Sequence, residues 1–407
     1  MLKFNSHFKM ETDDVVIYAK EKLNIFNKDA NLQAKEIGDG NINYVFKVWD
    51  ALNNKSIIIK QADIVLRSSG RPLDVDRNRI EAEILTLQGK LASEFVPKVY
   101  KYDPIMCAIS MEDISDHISL RAELLSRRIF PNLSDHITTF MVNTLLPTTD
   151  LVMDSGKKKD NVKKYINKDL CKISEDLVFT EPYIDYKGRN IVLNENMEFV
   201  KKEIYEDKEL ILEVGKLKNA FMNNAQALVH GDLHSGSIFV KEYSTKILDP
   251  EFAFYGPMGY DLGNVIGNLF FAWANACVTV DSNERVEFTS WIKKTIEDII
   301  YLFKKKFVSL YKEIVTDVIA KEGYYMEWYL GSVLSDTAGL AGLEIIRRVV
   351  GDSKVLDITS IEDIDARVKA ERMLILTAKS LIKNRDNIVD GSKYVQIFND
   401  ISEFYMV

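Results

Sequence analysis

The stretch that decides the fold runs from Val229 to Asp261: VHGDLHSGSIFV over 229–240, KEYSTKILDPEF over 241–252 and AFYGPMGYD over 253–261. An apolar residue leads into His230-Gly231-Asp232. Two short β-like runs follow, Ser237 to Val240 and Thr245 to Leu248, and the second ends on Asp249-Pro250-Glu251. Each acidic site alone has an ordinary reading, because loop aspartates cap helices and brace turns. Together, in this order and seventeen residues apart, they form the layout of a phosphoryl-transfer site. One acid orients and deprotonates a hydroxyl, and the other holds Mg²⁺ on the phosphates of ATP.

Upstream, residues 12–25 read as an amphipathic helix capped at Thr12 or Asp13, with Val15, Val16, Ala19 and Leu23 on one face. Three strand-like runs follow, 33–37, 44–50 and 56–61, separated by turns at Gly38-Asp39-Gly40-Asn41 and Leu52-Asn53-Asn54. A helix is expected over 75–90, then strands over 97–101 and 106–111. From Ser119 onward the pattern turns mostly helical, with candidates at 134–146, 160–176, 208–227, 259–278, 284–304, 306–321, 324–347 and 361–383. The fold class is therefore α+β: a small N-terminal antiparallel-sheet lobe over 1–112, expected to bind ATP, and a large mainly helical lobe over 113–407, expected to bind substrate and carry the catalytic base.

Several further residues carry chemistry in this frame. Gly38, Asp39, Gly40 and Asn41 supply a turn whose backbone can close over phosphates, though Asp-Gly is also a common hairpin turn. Lys60 ends the β-branched run Ile57-Ile58-Ile59, as does the strand lysine that meets the α- and β-phosphates in kinases. Its partner is expected on the next helix, Glu81 in preference to Glu83. Glu112, Asp113 and Ile114 follow the last sheet strand, where backbone groups would read adenine. Asp232 is the candidate base, with His230 as an organiser of its loop and no role assigned to His234. Asp249 and Glu251, two residues apart, would reach Mg²⁺ from one side of an extended backbone. Asp261 opens an apolar helix and is read as a cap that braces the catalytic loop. In Asp336-Thr337-Ala338-Gly339-Leu340-Ala341-Gly342 small residues let a helix pack closely. The Arg347-Arg348 pair beyond it either complements the helix dipole or binds hydroxyls and phosphate.

The 407 residues are 46% hydrophobic with a net charge of −8, which disfavours nucleic acid or an anionic membrane as partner. Cys107, Cys171 and Cys277 are scattered without a CxxC pair, as expected of free thiols in the cytoplasm. Val265–Val280 is the most apolar stretch, but Asn268 and Asn275 interrupt it, so a buried helix is expected there and not a membrane span.

The chain resembles the 5-methylthioribose kinases, within the aminoglycoside-phosphotransferase and choline-kinase-like branch of the protein-kinase fold. The strings that carry the resemblance are EIGDGNINYVFKV (36–48), IKQA (59–62), PLDVDRNRIEAEIL (72–85), MEDIS (111–115), HGDLHSGSIFV (230–240), DPEFAFYGPMGYDLGN (249–264) and DTAGLAGLEIIRR (336–348). It implies a bilobed kinase-like fold and ATP-dependent phosphorylation of the 1-hydroxyl of 5-methylthioribose in methionine salvage. It also implies a homodimer, and substrate contact by Arg347 and Arg348 as well as Asp232. Ser237 stands where related kinases carry a metal-binding Asn, so a weaker hydroxyl ligand would leave more of the Mg²⁺ to Glu251. The loop after Lys60 matches only loosely, and no role for Arg67 or Arg71 follows. Two other readings share some of these features. An amine-bearing acceptor, aminoglycoside or choline, needs a carboxylate-lined pocket that twin arginines would oppose. An inactive nucleotide-binding scaffold would have lost Lys60, Asp232 or Asp249, and all three are present.

Overall fold

The computed structural model describes residues 3–37, 43–53, 55–64, 73–280 and 282–406. The turn 38–41 and residues Arg67 and Arg71 lie outside them. The packing divides into two compact units, one of Met1–His117 with Lys246–Phe252, the other of Ile118–Thr245 with Ala253–Val407.

In the first unit, strands β1 (Leu32–Glu36), β2 (Tyr44–Asp50), β3 (Lys55–Gln61), β4 (Val99–Asp103) and β5 (Ala108–Glu112) form one antiparallel sheet in the order β1-β2-β3-β5-β4. Alternation decides what each face carries. Phe46 and Val48 of β2 and Ile57 and Ile59 of β3 point to one side, where Phe4, Met10, Val15 and Tyr18 complete an apolar cluster with helix α1 (Thr12–Lys22). Each such side chain stabilises the unit by roughly 1.5–3 kcal/mol through burial. Ile58 and Lys60 face the other side, toward helix α2 (Asp76–Leu91), which buries Arg77, Ile80, Glu81, Ile84, Leu85 and Gln88. The strand pattern of β3 thus aims Lys60 at the helix that carries its partner. Helix α1 begins one residue before the expected caps: Glu11 leads in, and its N–H donates to Asp14 Oδ2 at 2.9 Å.

The second unit is mainly helical. Helix Gly259–Thr279 is buried along nearly its whole length, as its apolar sequence predicts, and no helix among the described residues is long and apolar enough to cross a membrane. Its glycines recur every fourth residue and form a stripe against helix Tyr325–Val349. A Cβ at Gly259 would lie 2.7 Å from the Thr337 backbone nitrogen, one at Gly263 2.7 Å from that of Ala341, and one at Gly267 3.0 Å from Glu344 Cγ. The small residues of the second helix do the same on other sides: a Cβ at Gly342 would lie 2.6 Å from the Ala378 carbonyl oxygen of helix Ile364–Lys383.

Three expected elements differ. The run 160–176 is split into Ser155–Lys164 and Lys168–Leu177, because Asn167 takes the left-handed conformation with φ 47°. The pair 284–304 and 306–321 is one helix, Ser282–Ile314, since nothing between Lys304 and Lys306 interrupts its apolar face. A closing helix, Gly391–Met406, was not anticipated. A two-stranded ladder, Ala227–Val229 with Phe254–Gly256, was also unforeseen; its three-residue strands are too short to show periodicity.

Candidate active site

Two clusters of charge hold the sequence-predicted residues. In the first unit, Lys60 Nζ lies 2.7 Å from Glu81 Oε1 and 2.7 Å from Asp249 Oδ1. Glu83 instead pairs with Arg79 at 3.1 Å. Burial works against the Lys60 ammonium, yet Asp249, Glu81 and Glu251 together hold it above its ordinary range. Burial pushes the Glu81 carboxyl upward, and Lys60 offsets only part of that.

Asp249 and Glu251 reach this cluster by a route other than an extended strand. Asp249 is left-handed with φ 61°, and Pro250–Phe252 forms a 3₁₀ turn. A side-chain-bearing residue in that conformation, directly before a proline, costs about 1–3 kcal/mol and persists where its surroundings impose it. The turn sets Asp249 against Lys60, with its side chain 47% exposed. It carries Glu251 inward, where Asn43 Nδ2 donates to Oε2 at 3.1 Å and Arg77 Nε stands 3.7 Å away. Burial, with Asp249 adding to it, pushes the Glu251 carboxyl up against the pull of Lys60 and Arg77.

Glu81, Asp249 and Glu251 thus outnumber the cations Lys60 and Arg77. A surplus of hard carboxylate oxygen suits Mg²⁺, which takes one or two carboxylates and completes its shell with water and phosphate. No cage of three or more His, Cys, Asp or Glu side chains occurs among the described residues, and Mg²⁺ does not need one. Arg77 and Asn43 were not picked out from the sequence. The available signal was Arg77 at i−4 from Glu81, on the same buried helix face.

The residues expected at the adenine end have mainly structural contacts. The Asp113 carboxylate accepts from Ser56 Oγ at 2.5 Å and pairs with Lys47 Nζ at 2.8 Å, tying β2 and β3 to the end of β5. The Glu112 N–H donates to the Lys98 carbonyl at 2.8 Å, and the His117 N–H donates to the Ile114 carbonyl at 2.9 Å.

In the second unit, Asp232 sits in a loop braced from below. The N–H groups of His230 and Gly231 donate to the two carboxylate oxygens of Asp261 at 2.8 and 3.0 Å. Asp261 lies in the first turn of helix Gly259–Thr279 and Met258 takes the cap position, so bracing is its role without capping. Burial pushes its carboxyl up to about 7 against those two amides. The Ser237 hydroxyl donates to the Asp232 carbonyl at 3.1 Å, closing the loop, so only its lone pairs remain to meet a cation.

The Asp232 side chain is 26% exposed and has a different partner on each oxygen. Arg347 Nη2 stands 3.4 Å from Oδ1, and His234 Nε2 stands 3.3 Å from Oδ2. Burial opposes ionisation, but His234, Arg347 and Arg348 outweigh it and hold this carboxyl well below the usual range. Arg347 is held in turn by the buried Glu344, through Nε to Oε2. Arg348 Nε meets the other oxygen of Glu344 at 3.1 Å, and its Nη1 donates to the Ser353 carbonyl at 3.4 Å. Asn268 donates to Glu344 Oε1 at 3.2 Å and accepts from Ser235 Oγ at 2.8 Å. The glycine stripe lets the two helices approach closely enough for this ladder. Glu344 and Asn268 were missed, although Glu344 at i−3 and i−4 from the twin arginines was legible as their partner.

This geometry is accompanied by likeness to known proteins. The phosphotransferase enzyme family matches residues 203–286. A methylthioribose kinase of Erwinia tasmaniensis is 36% identical over 379 residues, 93% of this chain and 94% of that one. A methylthioribose kinase of Bacillus pumilus is 33% identical over 400 residues, 98% of each. Among solved structures, a choline kinase of Cryptosporidium parvum Iowa II aligns over 98% of both chains at 10% identity, with a TM-score of 0.49.

Proposed function

The chain belongs to the methylthioribose kinase family, and from that premise we propose that it transfers the γ-phosphoryl group of ATP to the 1-hydroxyl of 5-methylthioribose. The product is 5-methylthioribose 1-phosphate, a step of methionine salvage. The observation that carries this reading is the Asp232 carboxylate held between Arg347 and His234. An aspartate kept ionised and partly exposed can orient an alcohol and accept its proton late in transfer. Arg347 and Arg348 supply donors for hydroxyls or for the arriving phosphate. They disfavour a cationic acceptor, which argues against the choline and aminoglycoside alternatives.

In the first unit, Lys60, aligned by Glu81, meets the α- and β-phosphates. Gly38, Asp39, Gly40 and Asn41, outside the described residues, keep the phosphate-binding role expected from the sequence, and the backbone at Glu112, Asp113 and Ile114 reads adenine. Asp249 and Glu251 would hold Mg²⁺, and the ion would supply charge neutralisation at the phosphates when bound. A cytoplasmic homodimer completes the reading, and light scattering checks the oligomer. Coupled ADP release with Mg-ATP and a panel of 5-methylthioribose, ribose, choline and kanamycin tests the substrate. A strong preference for 5-methylthioribose is expected, and turnover of choline or kanamycin instead overturns the assignment.

A further inference from the structure

We propose that His234 is a positioning residue for Asp232, acting as a neutral imidazole with its proton on Nε2, and that Arg121 and Gly236 fix that ring. This rests on the reading of Asp232 as the group that orients the acceptor hydroxyl. The Gly236 N–H donates to His234 Nδ1 at 2.9 Å, so Nδ1 is the acceptor and the ring proton belongs on the other nitrogen. Arg121 Nη2, 3.4 Å away, is a second donor aimed at the same Nδ1. Nε2 faces Asp232 Oδ2 at 3.3 Å, the one direction in which it can donate to the catalytic carboxylate.

The support beneath the ring is itself fixed. Arg121 is anchored by its own N–H to the Ser235 carbonyl at 3.0 Å and by Nε to Ser235 Oγ at 3.3 Å. Ser235 in turn donates to the buried Asn268. The ring leaves no room for a side chain at 236, where a Cβ would lie 2.7 Å from His234 Cε1 and 3.0 Å from Nδ1. Glycine two residues after His234 is therefore a spacing requirement of the imidazole. Arg347 approaches Oδ1 and His234 approaches Oδ2, so the carboxylate cannot rotate without breaking one contact. Its remaining lone pairs keep a fixed direction for the incoming hydroxyl.

The test separates the tautomer from the substrate. In protein carrying ¹⁵N-labelled histidine, the His234 ring should show Nε2 protonated and Nδ1 bare, its resonances assigned among the five histidines by their loss in His234→Gln. A proton on Nδ1 overturns the proposal. In kinetics, His234→Gln, whose amide nitrogen reaches the place of Nε2, should stay within about threefold of wild type. His234→Asn, whose nitrogen reaches only the place of Nδ1, and His234→Ala should lose about 10- to 100-fold in kcat, the scale of a misplaced reacting group, with the KM for ATP unchanged. Equal losses in Gln and Asn, or full activity in Ala, overturn it. If the wild type does not turn over 5-methylthioribose, the substrate reading fails, and the NMR result still decides the tautomer.

Discussion

The two charge clusters use the same side chains to opposite ends. Around Lys60 the carboxylates are in excess, and burial pushes Glu81 and Glu251 upward. Around Asp232 a single carboxylate is surrounded by donors: Arg347 touches one oxygen and His234 the other, with Arg348 beside them, and its carboxyl is held far down. The first environment is short of positive charge, and a divalent cation would supply it. The second holds one carboxylate ionised and surrounds it with hydrogen-bond donors. The difference shows that the local charge balance decides whether a carboxylate gathers cations or handles a proton.

The sharpest way to break this contrast is to remove the lone acid. Asp232→Ala should lower kcat by roughly 10³-fold, within the range for loss of a positioned base, while ATP affinity measured by calorimetry stays near wild type. Ordinary turnover in this variant would remove Asp232 from the chemistry. The corresponding change in the acid-rich cluster is Asp249→Asn, expected to cost about 10²-fold in kcat/KM for ATP through weaker binding of the Mg²⁺ that neutralises the phosphates. A magnesium titration of nucleotide binding should weaken in parallel; an unchanged titration would leave Asp249 as a partner of Lys60 only.

Much of this was legible in the sequence, for physical reasons. Strands β1, β2 and β3 are legible as runs between turn residues, β3 from its β-branched run Ile57-Ile58-Ile59 and not from alternation, since it is buried on both faces. Helix Gly259–Thr279 is apolar enough to be read as buried. The limits are equally physical. Asp249 and Glu251 were expected along extended backbone, but a left-handed aspartate before proline runs against local preference, and only tertiary contacts impose it. Helix ends near Asn167 and Ile314 depend on single residues whose preferences are weak. Arg121 lies more than a hundred residues from His234, and no spacing rule brings such a pair together. The DIVLRSSGRPLDV loop and the glycine turn at 38–41 lie largely or wholly outside the described residues.

The twin arginines sharpen the contrast from within the second cluster. Arg347 touches Asp232, whereas Arg348 spends its contacts on Glu344 and the Ser353 carbonyl. Arg347→Ala should therefore cost about tenfold or more in kcat/KM for the sugar, and Arg348→Ala less, mainly in KM. Equal losses would mean that both reach substrate. Acid unfolding gives an independent check. Asp232 has a depressed folded value, so its stabilising contribution is fully present above the ordinary carboxylate range and is lost progressively as pH falls from there toward the folded value. Removing Arg347 raises that folded value, so the variant has less of this contribution to lose, and the acid-dependent part of its stability should be smaller than in wild type.

The smallest expected effect on chemistry comes from the helix spacing that underlies the second cluster. A Cβ at Gly263 would stand 2.7 Å from the Ala341 backbone nitrogen and 2.9 Å from the Leu340 carbonyl carbon, so neither neighbour can turn aside as a flexible side chain would. Gly263→Ala must part the two helices, at a cost of about 1–3 kcal/mol for overpacking, offset only slightly by the better helix propensity of alanine. The helix that moves carries Glu344, Arg347 and Arg348, while Asp261 on the opposing helix fixes the loop of Asp232. Parting them lengthens the Arg347–Asp232 contact without altering any charged group. Urea denaturation should show the lost stability, and kcat/KM for the sugar should fall severalfold, with ATP binding by the first unit unchanged. A variant that loses stability but keeps full sugar kinetics would show that the arginines reach their places by their bonds to Glu344 alone, and that the glycine stripe serves packing only.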